Sequence, residues 1–429
     1  MKRYSMKFAS LFLVVVTVLS FSACSDDDGP GTEESKEPVE AYLSVAAMPD
    51  LSTRTRSEAT TTEKEVFIEK LTAFVFTENN VLHAVKSESS QKDSNGENVS
   101  VSEVREISVK VIPNYNSDYS ETKFKVVLLA NSEIDINEIQ TLEDLYSKVS
   151  SSSTSSIEDY LPMSSGVLTI SNINWKDASK DKNWISKGGG DVTADKPGVG
   201  SEIELKRLVA RVELAGVKLD LDKYYSNAEF LVDSVYLVNV RTKAHYIINP
   251  ISDSEGDDES VEYKQSGYFR GGPVKFTTID KLIANDGTGD DDPDNYSTYK
   301  DSYSTVFAQA IKLGTTENVA DFASCKYYVY PSSLLATNQA GYETRLVLSC
   351  RYRFSDKLDY IRKYFHIVIG KDGLQDAAAM GVLNNNVYGI HVTITGEGSP
   401  NPDEYIPNSY LTIKLEVQPW TVVHQTEKD

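Results

Sequence analysis

Catalysis or metal binding needs nucleophiles, proton carriers or ligands at spacings that let them converge, so the five histidines, three cysteines and acidic clusters come first. His83, His245, His366, His391 and His424 stand singly on or beside strand-like runs, with no HExxH and no pair at metal-ligand spacing. No GxSxG elbow is present. Cys325 and Cys350 lack the CxxC spacing of a redox site, but they flank two strand-like runs, KYYVY and ETRLVLS, joined by a loop containing Pro331. Antiparallel pairing of those runs would bring the thiols within disulfide reach, and the alternative is a pair of small buried apolar residues. In NDGTGDDDPDN, Asp286, Asp290, Asp292 and Asp294 could offer oxygen ligands to Ca²⁺, but the spacing departs from an EF-hand loop and a solvated acidic loop is the plainer reading. SKGGGD lacks the Lys-Ser/Thr ending of a phosphate loop and no amphipathic helix follows it, so it reads as a flexible linker. These residues give no constellation for catalysis, no cofactor cradle and no metal centre, and the sequence argues against an enzyme.

One cysteine sits where chemistry would be done to it. In LSFSACSDDDGP, Cys24 closes an apolar run, Phe8 to Val18, that is too short to span a bilayer and is preceded by Lys2, Arg3 and Lys7. Residues 1–23 read as a secretion signal. Ser22 and Ala23 before Cys24 resemble a bacterial lipobox, with Phe21 where leucine is usual; the thiol would be acylated and become the first residue of the mature chain. An ordinary signal peptide with an incidental cysteine is the alternative. Asp26, Asp27 and Asp28 look like the acidic export signal of surface lipoproteins, so a lipid-tethered, surface-exposed protein is expected.

The composition bounds the rest. A chain of 429 residues can hold two or three domains, and 43 Lys and Arg against 64 Asp and Glu give a net charge of -21, which repels phosphate backbones and anionic lipid. Residues 25–38 are polar, acidic and broken by Gly and Pro, and read as a tether. In VEAYLSVAAM, Ala41, Leu43, Val45 and Ala47 alternate with Tyr42, Ser44 and Ala46, which predicts a strand; the polar stretch behind it carries Arg54 and Arg56. Strand patterns recur in IEKLTAFVF, KFKVVLLAN, GVLTISNIN, FLVDSVYLVNV, TRLVLSCRYRF, KYFHIVIG and VYGIHVTIT. Only residues 136–150 have helical spacing, through Ile136, Ile139, Leu142, Leu145 and Val149. The expectation is an all-β protein of two domains, 57–205 and 206–429, with few short helices. Near the end SYLTIKLEVQPWTVV puts Leu411, Ile413, Leu415 and Val417 on one face of a strand and Thr412, Lys414, Glu416 and Gln418 on the other.

The leader, the early strand followed by arginine, EKLTAFVF, KVVLLAN, IELKRLVARVEL, GIHVTITGEGSPNP and LTIKLEVQPW, in that order, resemble the fimbrillin family, the type V pilins of Bacteroides- and Porphyromonas-like bacteria. The resemblance runs from residue 1 to about 423, with 250–320 matching poorly, and Trp420 behind the long alternating strand is its most specific element.

That resemblance implies two tandem transthyretin-like β-sandwiches in a subunit that polymerises by strand exchange. The lipidated propeptide, residues 24–56, would be removed by an arginine-specific protease cutting behind Arg56 or Arg54, taking with it the strand of Ala41, Leu43, Val45 and Ala47. The vacated groove would receive a donor strand, residues 410–423 with Leu411, Ile413, Leu415, Val417 and Trp420, from a neighbouring copy or another fimbrial subunit. Small groove-facing residues would give way to branched ones at the same period of two, and four such side chains contribute on the order of 6–12 kcal/mol before ordering costs. Two readings follow. One is a shaft subunit of an adhesive surface fimbria, held at the outer membrane by a transient lipid; the other is a permanently anchored surface lipoprotein that binds glycan or protein ligands of host or bacterial surfaces.

Overall fold

In the computed structural model, the structure describes residues 40–50, 63–90, 103–113, 122–151, 160–175, 183–247 (apart from 199, 239, 241 and 242), 303–333, 344–370, 381–400 and 411–419. The chain is all-β, as its alternating patterns predict. Its first set of strands comprises β1 (Ala41–Pro49), β2 (Lys70–Thr77), β3 (Leu82–Ser89), β4 (Glu106–Val111), β5 (Phe124–Ala130), β6 (Val149–Ser151), β7 (Met163–Ser171), β8 (Trp184–Ile185), β9 (Gly190–Asp191) and β10 (Ile203–Arg207). The second comprises β11 (Ala210–Leu219), β12 (Glu229–Val238), β13 (Lys243–His245), β14 (Ser304–Lys312), β15 (Lys326–Val329), β16 (Ser332–Ser333), β17 (Arg345–Arg353), β18 (Ile361–Val368), β19 (Gly381–Val382), β20 (Asn386–Ile394) and β21 (Leu411–Pro419).

The first set runs in the order β3-β2-β5-β7-β10-β1-β4, with β8 beside β1 and β9 beside β7. Strand β1 belongs to both layers of this sandwich. Ala41 to Ala46 pair antiparallel with β4, whereas Ala47 to Pro49 run parallel to β10. Between the layers lies a core that includes Leu71, Ala73 and Val75 of β2, Val126 and Leu128 of β5, and Ile107, Val109 and Val111 of β4. The second set forms two four-stranded sheets, β15-β11-β20-β21 and β14-β12-β17-β18, closed on a core containing Phe230, Val235, Leu348, Phe365, Ile390 and Val392.

A third core joins the two sandwiches. The opposite faces of β2 and β5 present Phe74, Phe76, Val127 and Leu129, and these pack with Leu142 and Leu145 and with Tyr246, Tyr330 and Val387 of the second set. A strand buried on both faces loses the polar side of its alternation, which is why TAFVF is apolar almost throughout. The short ladder of β6 on β13 and the hydrogen bond between Ser150 Oγ and Tyr330 Oη, 2.7 Å long, reinforce the junction.

Three expectations need correction. The helix over 136–150 is a five-residue α1 (Leu142–Tyr146) preceded by a separate 3-10 turn at Ile136–Glu138, while Val149 opens β6. Thr141 starts α1 afresh through a reciprocal capping box with Asp144, and Asp135 caps the turn before it, so two N-termini interrupt one apolar stripe. The SKGGGD stretch is built into the sandwich: β9 lies parallel to β7, and Gly189, at φ +74°, approaches so closely that a Cβ would stand 2.6 Å from the Thr169 carbonyl oxygen. Cys325 and Cys350 are free, buried thiols. Strands β15 and β17, which the disulfide reading paired, lie in different sheets, the first on β11 and the second between β12 and β18. Burial pushes Cys325 up to about 11 and Cys350 higher still, so both pack as small apolar groups.

Phe74→Ala removes a ring from the joining core and is expected to cost about 3–5 kcal/mol in urea unfolding, whereas a substitution on a solvated strand face stays within about 0.5 kcal/mol.

Candidate functional site

The features the sequence singles out, the first and last strands, differ in how they are held. Strand β1 is flanked on both sides. On one side Ala41, Leu43 and Val45 stand opposite Val111, Val109 and Ile107 of β4; on the other, Ser44 and Val45 meet Trp184 and Ile185 of β8, and Ala47 to Pro49 meet Ile203 to Leu205 of β10. The Ser44 amide donates to the Asn183 carbonyl at 2.9 Å, and the hydroxyls of Ser44 and Ser108 hydrogen-bond at 2.9 Å. Ala41, Leu43, Val45 and Ala47 are buried, as the alternation predicts, but so are Ser44 and Ala46 on the opposite face. Small residues are needed on both sides of this strand.

Among the described residues strand β21 has one neighbour. Leu411, Ile413, Leu415 and Val417 stand in register with Ile394, Val392, Ile390 and Tyr388 of β20, all four buried, and β21 ends its sheet. At the middle of this ladder His391 of β20 contacts Glu317 through Nδ1 at 2.6 Å, with Nε2 3.9 Å from Oε2 of Glu416 on β21. Gly216, beside a bulge in β11, leaves the room: a Cβ there would fall 2.6 Å from Glu317 Cγ. Cys24, Arg54, Arg56, Trp420, His424 and the acidic run Asp286, Asp290, Asp292 and Asp294 lie outside the described residues.

What sequence reasoning missed is a buried polar cluster where β1 ends. Arg207, at the end of β10, and Arg211, on β11, are sealed from water together with Glu65. Arg211 Nη1 donates to Glu65 Oε1 at 2.6 Å, its Nε lies 3.1 Å from Glu213, and the Tyr328 hydroxyl donates to Glu65 Oε1 at 2.6 Å. Arg207 Nε donates to the Glu65 carbonyl at 2.8 Å, and its Nη1 donates to the Asp50 carbonyl at 3.2 Å and to Asn385 Oδ1 at 3.1 Å. Asn385 Nδ2 in turn donates to Asp50 Oδ2 at 2.8 Å. Burial pulls Arg207 down to about 10, against the pull of Glu65 and Asp50, which leaves it charged at neutral pH. Burial opposes the charge on Arg211 too, but Glu65 and Glu213 outweigh it and hold the guanidinium above its usual value. Burial, then the Glu65 carboxylate, keeps the Tyr328 hydroxyl protonated and donating. The available signal was two arginines inside KRLVARVEL, a run otherwise patterned for burial.

Among the described residues no helix is long and apolar enough to cross a membrane, and no three of His, Cys, Asp and Glu gather as a metal site. Fold and site together define a class: two joined β-sandwiches with a clamped first strand and a last strand on a sheet edge. Residues 41–207, from the first residue of β1 to the last of β10, match the family model of the major fimbrial subunit protein (FimA), so this segment is similar to the family that the fimbrillin resemblance names. A fimbrilin (FimA) from Porphyromonas gingivalis W83 superposes with a TM-score of 0.55 at 17% identity, covering 91% of this chain and 99% of that one. A protein provisionally assigned to cell adhesion from Parabacteroides distasonis ATCC 8503 gives a TM-score of 0.56 at 19% identity, covering 90% and 100%. Another so assigned, from Bacteroides eggerthii DSM 20697, gives 0.51 at 15%, covering 89% and 97%. At these identities the likenesses speak for the fold. No curated protein matches the chain.

Removing one partner of a buried ion pair strands the other. Glu65→Gln is expected to cost about 3–5 kcal/mol by urea unfolding, and adding Arg211→Met should recover part of that loss because it withdraws a buried guanidinium left with Glu213 as its one carboxylate.

Proposed function

We propose that this protein is a non-enzymatic structural subunit of a cell-surface fimbria, most fully a shaft subunit, that is exported as a lipoprotein anchored through Cys24, cut behind Arg54 or Arg56, and polymerised by donor-strand exchange. The observation that carries the reading is the contrast between the two strands. The first is paired on both sides and fills the interior of a sandwich, so its loss after a cut leaves a long apolar groove lined by β4, β8 and β10. The last is held by a single ladder of nine pairs at a sheet edge, whereas the eleven pairs of the first are spread over three strands on its two sides. Donor and acceptor are different patches, so the contact is head-to-tail and propagates without closing. The partners are further copies of this chain and other fimbrial subunits, with an arginine-specific protease acting before assembly. The filament would present adhesive surfaces to host or bacterial ligands.

A second reading draws on the same last strand: nine residues of β21 pair in unbroken register with β20, which suits a subunit that keeps its strand and serves as a permanently anchored glycan- or protein-binding lipoprotein. Treating the full chain with an arginine-specific protease should yield ladders of polymers on non-denaturing gels, and deleting residues 410–429 should abolish them. Cut protein that stays monomeric at high concentration would remove the shaft role, and N-terminal sequencing that finds residues 25–56 intact on the cell-surface protein would favour the second reading.

A further inference from the structure

Asp50 is the residue immediately after β1, and it leaves with that strand if the chain is cut behind Arg54 or Arg56. It is buried, and its contacts reach both sandwiches. Its amide donates to the Leu205 carbonyl at 2.8 Å, its carbonyl accepts from Arg207 Nη1 at 3.2 Å, and its carboxylate accepts from Asn385 Nδ2 at 2.8 Å. Asn385 is in the left-handed region at φ +56°, which Asn tolerates better than most side chains, and surrounding contacts fix its orientation there. Those contacts are its amide to the Val209 carbonyl at 2.9 Å, its Oδ1 accepting from the Arg207 amide and Nη1, each at 3.1 Å, and its Nδ2 on Asp50. The next residue, Asn386, opens β20 and pairs with Pro419 at the end of β21. One carboxylate on the removable segment is therefore among the four partners that hold the turn from which the β20 and β21 ladder begins, and the only one of them that a cut behind Arg54 or Arg56 would take away.

We propose that Asp50 is a latch that couples the two ends of the chain: while β1 is in place its carboxylate fixes Asn385 and keeps β21 on its own sheet, and losing it on cleavage loosens β21 from the Pro419 end. A single cut would then both vacate the groove and release the strand that fills a neighbour's groove, so an uncut subunit would not offer its last strand. The inference rests on the strand-exchange reading for the moment at which Asp50 departs; the contact itself does not.

The experiment uses the uncut full chain and amide hydrogen exchange read by mass spectrometry. Asp50→Ala, and separately Asn385→Gly, which keeps the backbone conformation but drops the amide side chain, are expected to speed exchange in peptides spanning residues 386–394 and 411–419. The expected factor is about 10- to 100-fold, the range that a lost hydrogen bond to a charged group corresponds to. Peptides spanning 41–49 and 106–111 should keep their protection, which also reports that both variants fold. Unchanged exchange at 386–394 and 411–419 in both variants would overturn the latch, as would a rise spread equally over all peptides. Failure of the protease-cut wild type to polymerise would instead count against strand exchange and leave this result standing.

Discussion

Two guanidinium groups sealed between two β-sandwiches impose the constraint on which the remaining structure depends. Arg207 and Arg211 sit on either side of the chain's crossing from β10 to β11, and a buried cation is tolerated only where carboxylates and carbonyls meet it in correct geometry. Glu65 supplies its carboxylate to Arg211 and its carbonyl to Arg207. The turn before β2, the end of β10, the start of β11, Tyr328 of β15 and the turn before β20 must therefore all arrive at one place. An apolar junction of equal volume would tolerate sliding, and this one fixes register. Tyr328, which donates to Glu65, also packs against the core of Phe74, Phe76, Leu142, Tyr246 and Tyr330, so the charged cluster and the apolar junction share a residue, and burial makes each of its hydrogen bonds count for more.

The same junction explains why the two terminal strands differ in character. Strand β1 runs from the β4 layer to the β10 layer and delivers Asp50 into the charged cluster, so both its sides and its end are occupied. Strand β21 lies at the far edge of the β15-β11-β20-β21 sheet, where the Glu317, His391 and Glu416 row crosses from a loop to the edge strand. Three ladders and a buried anchor oppose one ladder and a half-exposed polar row. Strand separation in this fold is therefore asymmetric before any partner is present.

Alternation made most strands legible, because a half-buried strand writes its inner face at every second residue. KFKVVLLAN, FLVDSVYLVNV and TRLVLSCRYRF appear as β5, β12 and β17. The misses share a cause, which is that nearest-neighbour pattern does not reveal what packs across space. Ile136, Ile139, Leu142, Leu145 and Val149 are spaced as one helix, yet the stripe is assembled from a turn, a short helix and a strand start. KYYVY and ETRLVLS resemble the arms of a hairpin, yet they belong to opposite sheets. The charged cluster was invisible for the same reason: Asp50 and Glu65 fall in a stretch that reads as polar loop, and only the fold brings Arg207 to them.

The second face of β1 sharpens what a donor strand must do. Laid over Ala41 to Ala47 in the register that matches Leu411, Ile413, Leu415 and Val417 to the inward positions, the donor would bring Lys414 and Glu416 to the places of Ser44 and Ala46. Both of those are buried, and a lysine and a glutamate do not enter such sites while the surrounding structure is closed. In the proposed exchange the inward face would gain area and the opposite face would lose its fit, so complementarity would be one-sided unless that face opened. The wall beside Ser44 is β8, whose ladder to β1 is two residues long, against six pairs to β4 on the other side. Among the described residues β4 has no ladder besides the one to β1, whereas β8 keeps its bridge from Trp184 to Thr193 and β10 its ladder to β7, so β4 is the groove wall that loss of β1 would leave least held by pairing and whose displacement would give the charged side chains a route to water.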